Sequence, residues 1–259
     1  MNRLQGVTVG EKKKKRTGRV VAIVIACILA LLSGFYFYVS DYYHASDAAV
    51  AAITSPAEGI EVEEYKDKMI VFRPEKPVAG LIFYPGGKVD YKAYAPLMQK
   101  FADNGVLCVL VHMPFNLAVF GSNAADGIPE QFPEIEDWYM AGHSLGGAFA
   151  SKYTKSHAQE FRGLILLGAY SCYDLTDTDL KVACIYGSQD GVMNFDKYEK
   201  NRKNLPDNHI ENVIDGGCHA YFGDYGEQKG DGVASISVEE QMETTVDLSM
   251  QIIKDNNEQ

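Results

Sequence analysis

Three side chains in this chain have the types and order needed for nucleophilic acyl chemistry. Ser144 sits in Gly142-His143-Ser144-Leu145-Gly146-Gly147, a Gly-x-Ser-x-Gly pattern that places a serine on a tight turn between a strand and a helix. The glycines have a steric role, because a side chain at Gly142 or Gly146 would collide across the turn. A serine hydroxyl attacks well at neutral pH only when a base takes its proton, and a histidine oriented by a carboxylate does this. Asp190 in Gly187-Ser188-Gln189-Asp190-Gly191 and His219 in Gly216-Gly217-Cys218-His219-Ala220 supply those groups. Each of the three follows an apolar, strand-like run, and parallel sheets gather their sites at the carboxyl ends of their strands.

An acyl-transfer oxyanion needs fixed N–H donors. The candidates are Leu145, directly after the serine, and Gly87 or Lys88 in the glycine-rich loop Tyr84-Pro85-Gly86-Gly87-Lys88. His112 is a rival base, but it precedes the serine in the chain. Asp174, Asp177 and Asp179 compete with Asp190 from a polar stretch suited to solvent. His143 and Cys218 read as packing residues beside the site, and a Cys172–Cys218 disulfide is left open by the spacing. Residues 224–232 resemble a calcium loop only superficially, lacking EF-hand ligand spacing, and read as a surface loop near the site.

The elements that must position these groups alternate. An amphipathic strand at residues 60–64 and a hairpin partner at 69–73 lead into buried strands at 80–84, 106–111, 138–141, 163–167 and 181–186, with a last strand at 209–215. Helical stretches at 91–104, 146–155 and 196–204, and a closing helix at 237–253, separate and follow them. Asp90 is placed to cap the first of these. This order implies an α/β fold with a doubly wound, mainly parallel sheet. Only residues 170–180 separate two of the strands, so no large lid is expected. The longer loop at 112–137 places Phe115 and Asn116 as candidate substrate contacts, with Tyr221 and Phe222 on the other side.

Residues 20–39 form an almost unbroken apolar run, long enough as a helix to cross a bilayer. Lys12-Lys13-Lys14-Lys15-Arg16 precedes it, and Phe35-Tyr36-Phe37-Tyr38, Tyr42 and Tyr43 form an aromatic belt at its far end. The basic side puts the N-terminus in the cytoplasm and the rest of the chain outside, as a single-pass cell-membrane protein. The basic run also suits anionic headgroups. A cleaved signal peptide is the alternative, with Ala45-Ser46-Asp47-Ala48 a poor cleavage site. The organisation is therefore a basic tail (1–19), a transmembrane anchor (20–39), a linker (40–59) and one α/β domain (60–259). The whole chain has 24 Lys and Arg against 35 Asp and Glu. With seven of the basic residues and one acid in residues 1–19, the remainder carries a net charge of −17, which excludes nucleic acid as a partner. Five cysteines without Cys-x-x-Cys spacing give no zinc site or disulfide framework. Oligomeric state is not encoded in any visible pattern.

Taken together, Tyr84-Pro85-Gly86-Gly87, Gly142-His143-Ser144-Leu145-Gly146-Gly147, Gly187-Ser188-Gln189-Asp190 and Gly217-Cys218-His219 make residues 60–255 resemble the α/β-hydrolases. The likeness is to the branch of dienelactone-hydrolase-like proteins and small carboxylesterases. Dienelactone hydrolases use a cysteine nucleophile where this chain has Ser144. The resemblance implies hydrolysis of an ester or related acyl bond in a small-molecule substrate, without metal or organic cofactor. It implies Ser144 as nucleophile, His219 as base and Asp190 as its orienting acid. An acyltransferase with the same three residues, and a non-catalytic surface-binding domain retaining the fold, are the alternatives.

Overall fold

The computed structural model describes residues 8–65 and 68–254. The chain divides into two units, Met1–Asp41 and Tyr42–Gln259. The first contains helix α1 (Thr8–Ser40), which extends through the basic run as well as the apolar one. The first seven residues of the basic tail, with Arg3, lie outside the described residues. Within α1, Gly18–Ser40 is long and apolar enough to cross a membrane. At 1.5 Å per residue its 23 residues span about 35 Å, against about 30 Å of bilayer hydrocarbon.

The second unit is built on one eight-stranded sheet in the order β1-β2-β4-β3-β5-β6-β7-β8. Its strands are β1 (Ile60–Tyr65), β2 (Met69–Pro74), β3 (Ala79–Tyr84), β4 (Val106–Val111), β5 (Trp138–His143), β6 (Gly163–Leu167), β7 (Lys181–Gly187) and β8 (Ile210–Ile214). The hairpin of β1 and β2 is antiparallel, as its alternating pattern implied, and β2 joins β4 antiparallel. From β3 to β8 every pairing is parallel. Every residue of β3, β4, β5 and β6 is buried, the mark of strands covered on both faces.

Two apolar layers result. On one face Leu81, Phe83, Cys108 and Leu110 pack with α3 (Ala95–Asp103), α6 (Val238–Lys254) and Ile53 of α2 (Asp47–Thr54). On the other, Ile82, Tyr84, Val109 and Met140 pack with α4 (Leu145–Ser156) and Tyr198 of α5 (Phe195–Asn201). The helix expected at 91–104 starts as a 3-10 turn, Tyr91–Tyr94, capped by Asp90, and becomes α-helical at Ala95, beside Pro96. Pro96 suits a first helical turn because it has no N–H to satisfy there. The start of α6 is a capping box: Ser237 Oγ accepts from the Glu240 N–H, and Glu240 accepts from the Ser237 N–H. This doubly wound sheet places the ends of β3, β5, β7 and β8 along one edge.

Candidate active site

At the end of β5 the backbone turns through Ser144 at φ 52°, ψ −121°, a conformation that costs a non-glycine residue free energy and persists only where the surroundings enforce it. They do so here. The Ser144 N–H donates to the Leu167 carbonyl at 2.9 Å. A Cβ on Gly142 would lie 2.6 Å from the Gly147 nitrogen, and one on Gly146 would run into the Tyr84 and Pro85 carbonyl oxygens. The two glycines let the β3 loop, the elbow and the first turn of α4 interpenetrate.

Asp190 and His219 meet across the ends of β7 and β8. His219 Nδ1 lies 2.7 Å from Asp190 Oδ2, and both side chains are buried. Asp190 Oδ1 accepts from the Val192 and Met193 N–H groups at 2.9 and 2.8 Å, so the carboxylate has a fixed orientation. With the carboxylate accepting at Nδ1, that nitrogen carries the proton and Nε2 is the basic one. Nε2 of His219 is buried and has no hydrogen-bond partner among the described residues. The serine and histidine flank the same strand end. A Cβ on Gly168, the residue after the Leu167 that holds Ser144, would sit 2.9 Å from His219 Nδ1 and 3.1 Å from Asp190 Oδ2. Gly168 has φ +50°, so its lack of a side chain serves both backbone conformation and close approach.

The rival groups are occupied elsewhere. His112 packs against Tyr91 with ring centroids 4.8 Å apart and the rings tilted by 49°. Asp177 pairs with Lys155 at the surface and Asp174 accepts from Thr176. His143 packs as expected: its ring lies 4.4 Å from that of His219 and 5.5 Å from that of Phe222. Burial, then the neighbouring His219, hold its imidazole well below the usual histidine value, so it is neutral. Cys218 is free, as is Cys172, with no disulfide between them. Burial pushes the Cys218 thiol up to about 12, which keeps it unreactive.

The oxyanion donors proposed from the sequence need narrowing. The Lys88 N–H donates to the Asn116 carbonyl at 2.8 Å, and the Gly86 N–H donates to the Tyr94 hydroxyl at 3.0 Å. The Lys88 N–H is therefore committed to the loop after β4, leaving Gly87 from the glycine-rich loop. A Cβ on Gly87 would lie 2.8 Å from Leu145 Cδ2, so the two remaining donor residues face each other.

The four residues expected from the sequence to contact substrate, Phe115, Asn116, Tyr221 and Phe222, do not line the cleft at the serine. A cleft of about 280 Å³ opens at Ser144, lined by Tyr170, Cys172, Val192, Met193 and Asn194 from the loops after β6 and β7. Phe222 is fully buried, and its ring packs on His143 instead of facing a ligand. Tyr221 lines a separate cavity of about 110 Å³ beside Asp231. Phe115 is exposed against Phe120, and Asn116 acts through its carbonyl on Lys88.

Three supporting residues were not legible as such. Asp231 accepts from the Gly191, Gly232 and His219 N–H groups at Oδ1 and from the Ala220 N–H at Oδ2, at 2.8–3.2 Å. Burial works to raise its carboxyl, but those four donors outweigh it and hold the group below the usual carboxylate value. Gln241 of α6, fully buried, accepts from the Cys218 N–H and donates to the Cys218 carbonyl. Tyr94 joins the Gly86 N–H to His143 Nδ1, 2.7 Å away. Gln241 had one sequence signal, a polar residue on the apolar stripe of the closing helix. Asp231, between Gly230 and Gly232, had only its glycines.

A parallel doubly wound sheet with a strained serine elbow at one strand end, and an acid–histidine pair at the ends of two later strands, defines the class of fold to which α/β-hydrolases belong. Residues 80–243 match the model of the alpha/beta hydrolase family, and the chain belongs to that family. Among solved structures it is similar to a dienelactone hydrolase from Anabaena variabilis (11% identity, TM-score 0.56, covering 75% of this chain and 99% of that one). It is also similar to Est1E from Butyrivibrio proteoclasticus (14% identity, TM-score 0.53, covering 76% and 100%). No curated protein matches the sequence significantly.

Proposed function

We propose that this chain is a membrane-anchored serine hydrolase that cleaves carboxylic esters or related acyl bonds through an acyl-enzyme. The observation that carries the reading is the buried His219–Asp190 pair, its Nε2 without a partner among the described residues, packed against Gly168 at the end of β6, where the Leu167 carbonyl holds the strained Ser144. Family membership and the likeness to Est1E support it.

In this reading Ser144 Oγ attacks the acyl carbon while His219 Nε2 takes its proton. Asp190 stays ionised and stabilises the imidazolium. The N–H groups of Leu145 and Gly87 receive the oxyanion, in a site where fixed donors need no reorganisation. The tetrahedral intermediate collapses, the ester C–O bond breaks, and His219 returns the proton to the departing alcohol. Water, deprotonated by the same nitrogen, then attacks the Ser144 ester and releases the acid. The cleft of about 280 Å³ suits a small or medium acyl group. The Gly18–Ser40 segment is the anchor, with the basic N-terminal side cytoplasmic and the catalytic unit outside.

Ser144→Ala should abolish both turnover of a short-chain chromogenic ester and labelling by a fluorophosphonate probe. Labelling that survives the substitution sinks the assignment.

A further inference from the structure

The segment that follows α1 is built into the catalytic unit. Tyr43 forms a parallel bridge with Val89: its N–H donates to the Lys88 carbonyl, and its carbonyl accepts from the Asp90 N–H, each at 2.8 Å. The same residue reaches the other side of the site. Its hydroxyl accepts from the Lys229 N–H at 3.0 Å, and its ring packs 5.6 Å from that of Tyr225. Three residues on, the Ser46 N–H donates to the Asp224 carbonyl at 2.9 Å.

The two loops held in this way serve different catalytic groups. Lys88 and Asp90 follow Gly87, the oxyanion donor. Residues 224–231 end in Asp231, which grips the N–H groups of His219 and Gly191. A path of contacts closes the circuit. Tyr225 packs on Tyr94, whose hydroxyl holds the Gly86 N–H and His143, and the Asp224 N–H donates to the Ala93 carbonyl.

Resting on the serine-hydrolase reading above, we propose that residues 42–46 are a positioning strap that sets the oxyanion loop against the histidine loop. The chain therefore works only with this strap intact, and cleavage between Ala45 and Ser46 inactivates it. None of the strap residues lines the cleft at Ser144, so the strap governs the rate of the chemical step and not substrate binding. A donor displaced by a fraction of an ångström costs rate because oxyanion stabilisation depends on geometry.

The test uses the full chain in detergent or proteoliposomes. Tyr43→Ala should lower kcat by about tenfold to a hundredfold with KM unchanged, and slow fluorophosphonate labelling in parallel. Tyr43→Phe keeps the ring and the backbone bridge and should restore kcat to within about threefold of the wild type, having lost one neutral hydrogen bond. The mass of the chain isolated from membranes of its own host should include Tyr43. A folded Tyr43→Ala protein with wild-type kcat overturns the strap. So does a mature chain that begins at Ser46 or later and turns over ester as fast as the unprocessed one, a result that decides the matter even where Tyr43→Ala does not fold. A wild-type chain that does not react with the probe refutes instead the hydrolase reading on which the strap rests.

Discussion

Asp231→Ala removes one carboxylate and leaves four backbone N–H donors without an acceptor, three of them (Gly191, His219 and Ala220) on the loops that carry Asp190 and His219. A hydrogen bond to an ionised acceptor contributes about 1.5–3 kcal/mol. Asp231 is only half-buried, so water replaces part of what is lost, and the net cost should be about 2–4 kcal/mol. For a unit of this size that lowers Tm by about 5–15 °C. The functional effect should exceed what loss of folded protein explains, because the His219 backbone is freed: kcat should fall by about a hundredfold at temperatures where the variant is fully folded. Trp138, the single tryptophan, is buried at the start of β5, the strand that leads into the elbow, and reports unfolding of this unit by its fluorescence. Turnover of a short-chain ester reports the rate. A variant melting within about 2 °C of the wild type, with kcat within about twofold, would refute the claim that Asp231 fixes the two loops.

Three further outcomes are expected. Gly146→Ala drives a methyl group into two backbone carbonyls; it should cost about 3 kcal/mol or more and abolish probe labelling, and a normal melting curve would contradict the elbow geometry. His143 resists protonation when folded while the unfolded residue accepts a proton near pH 6.5. Stability contributed by neutral His143 is thus fully present above that pH and declines as pH falls below it, by up to about 1.4 kcal/mol per pH unit. His143→Gln should flatten the dependence of Tm on pH between about 5 and 6.5, and an unchanged slope would assign it to other groups. Cys172 is exposed and lines the cleft at Ser144, whereas Cys108, Cys184 and Cys218 are buried. A bulky maleimide should therefore slow ester turnover by about tenfold in the wild type but not in Cys172→Ser; equal inhibition of both would place the reacting thiol elsewhere.

Much of the molecule was legible from local pattern. The buried strands β3 to β7 appear within a residue or two of their expected bounds because unbroken apolar runs have few other ways to bury themselves. The elbow was legible because its constraint is local: a serine at positive φ between two close-packed backbones demands glycines at fixed offsets. The hairpin of β1 and β2 followed from alternation. Helix boundaries were less sharp, as at Tyr91–Tyr94, where capping and Pro96 decide between 3-10 and α geometry.

The sequence by itself determined the order serine, acid, histidine, the strands those residues follow, and an apolar segment long enough to span a bilayer. Only the tertiary structure decided which neighbours complete the site. It turned Phe222 inward onto His143, gave the Lys88 N–H to Asn116, and opened the cleft between the loops after β6 and β7. It also brought Asp231, Gln241 and Tyr43 against residues distant in the chain. The reason is physical: periodicity and turn chemistry act over a few residues and leave a sequence trace. A hydrogen bond from Lys229 to Tyr43, 186 positions away, depends on where two loops end up once the sheet between them has formed.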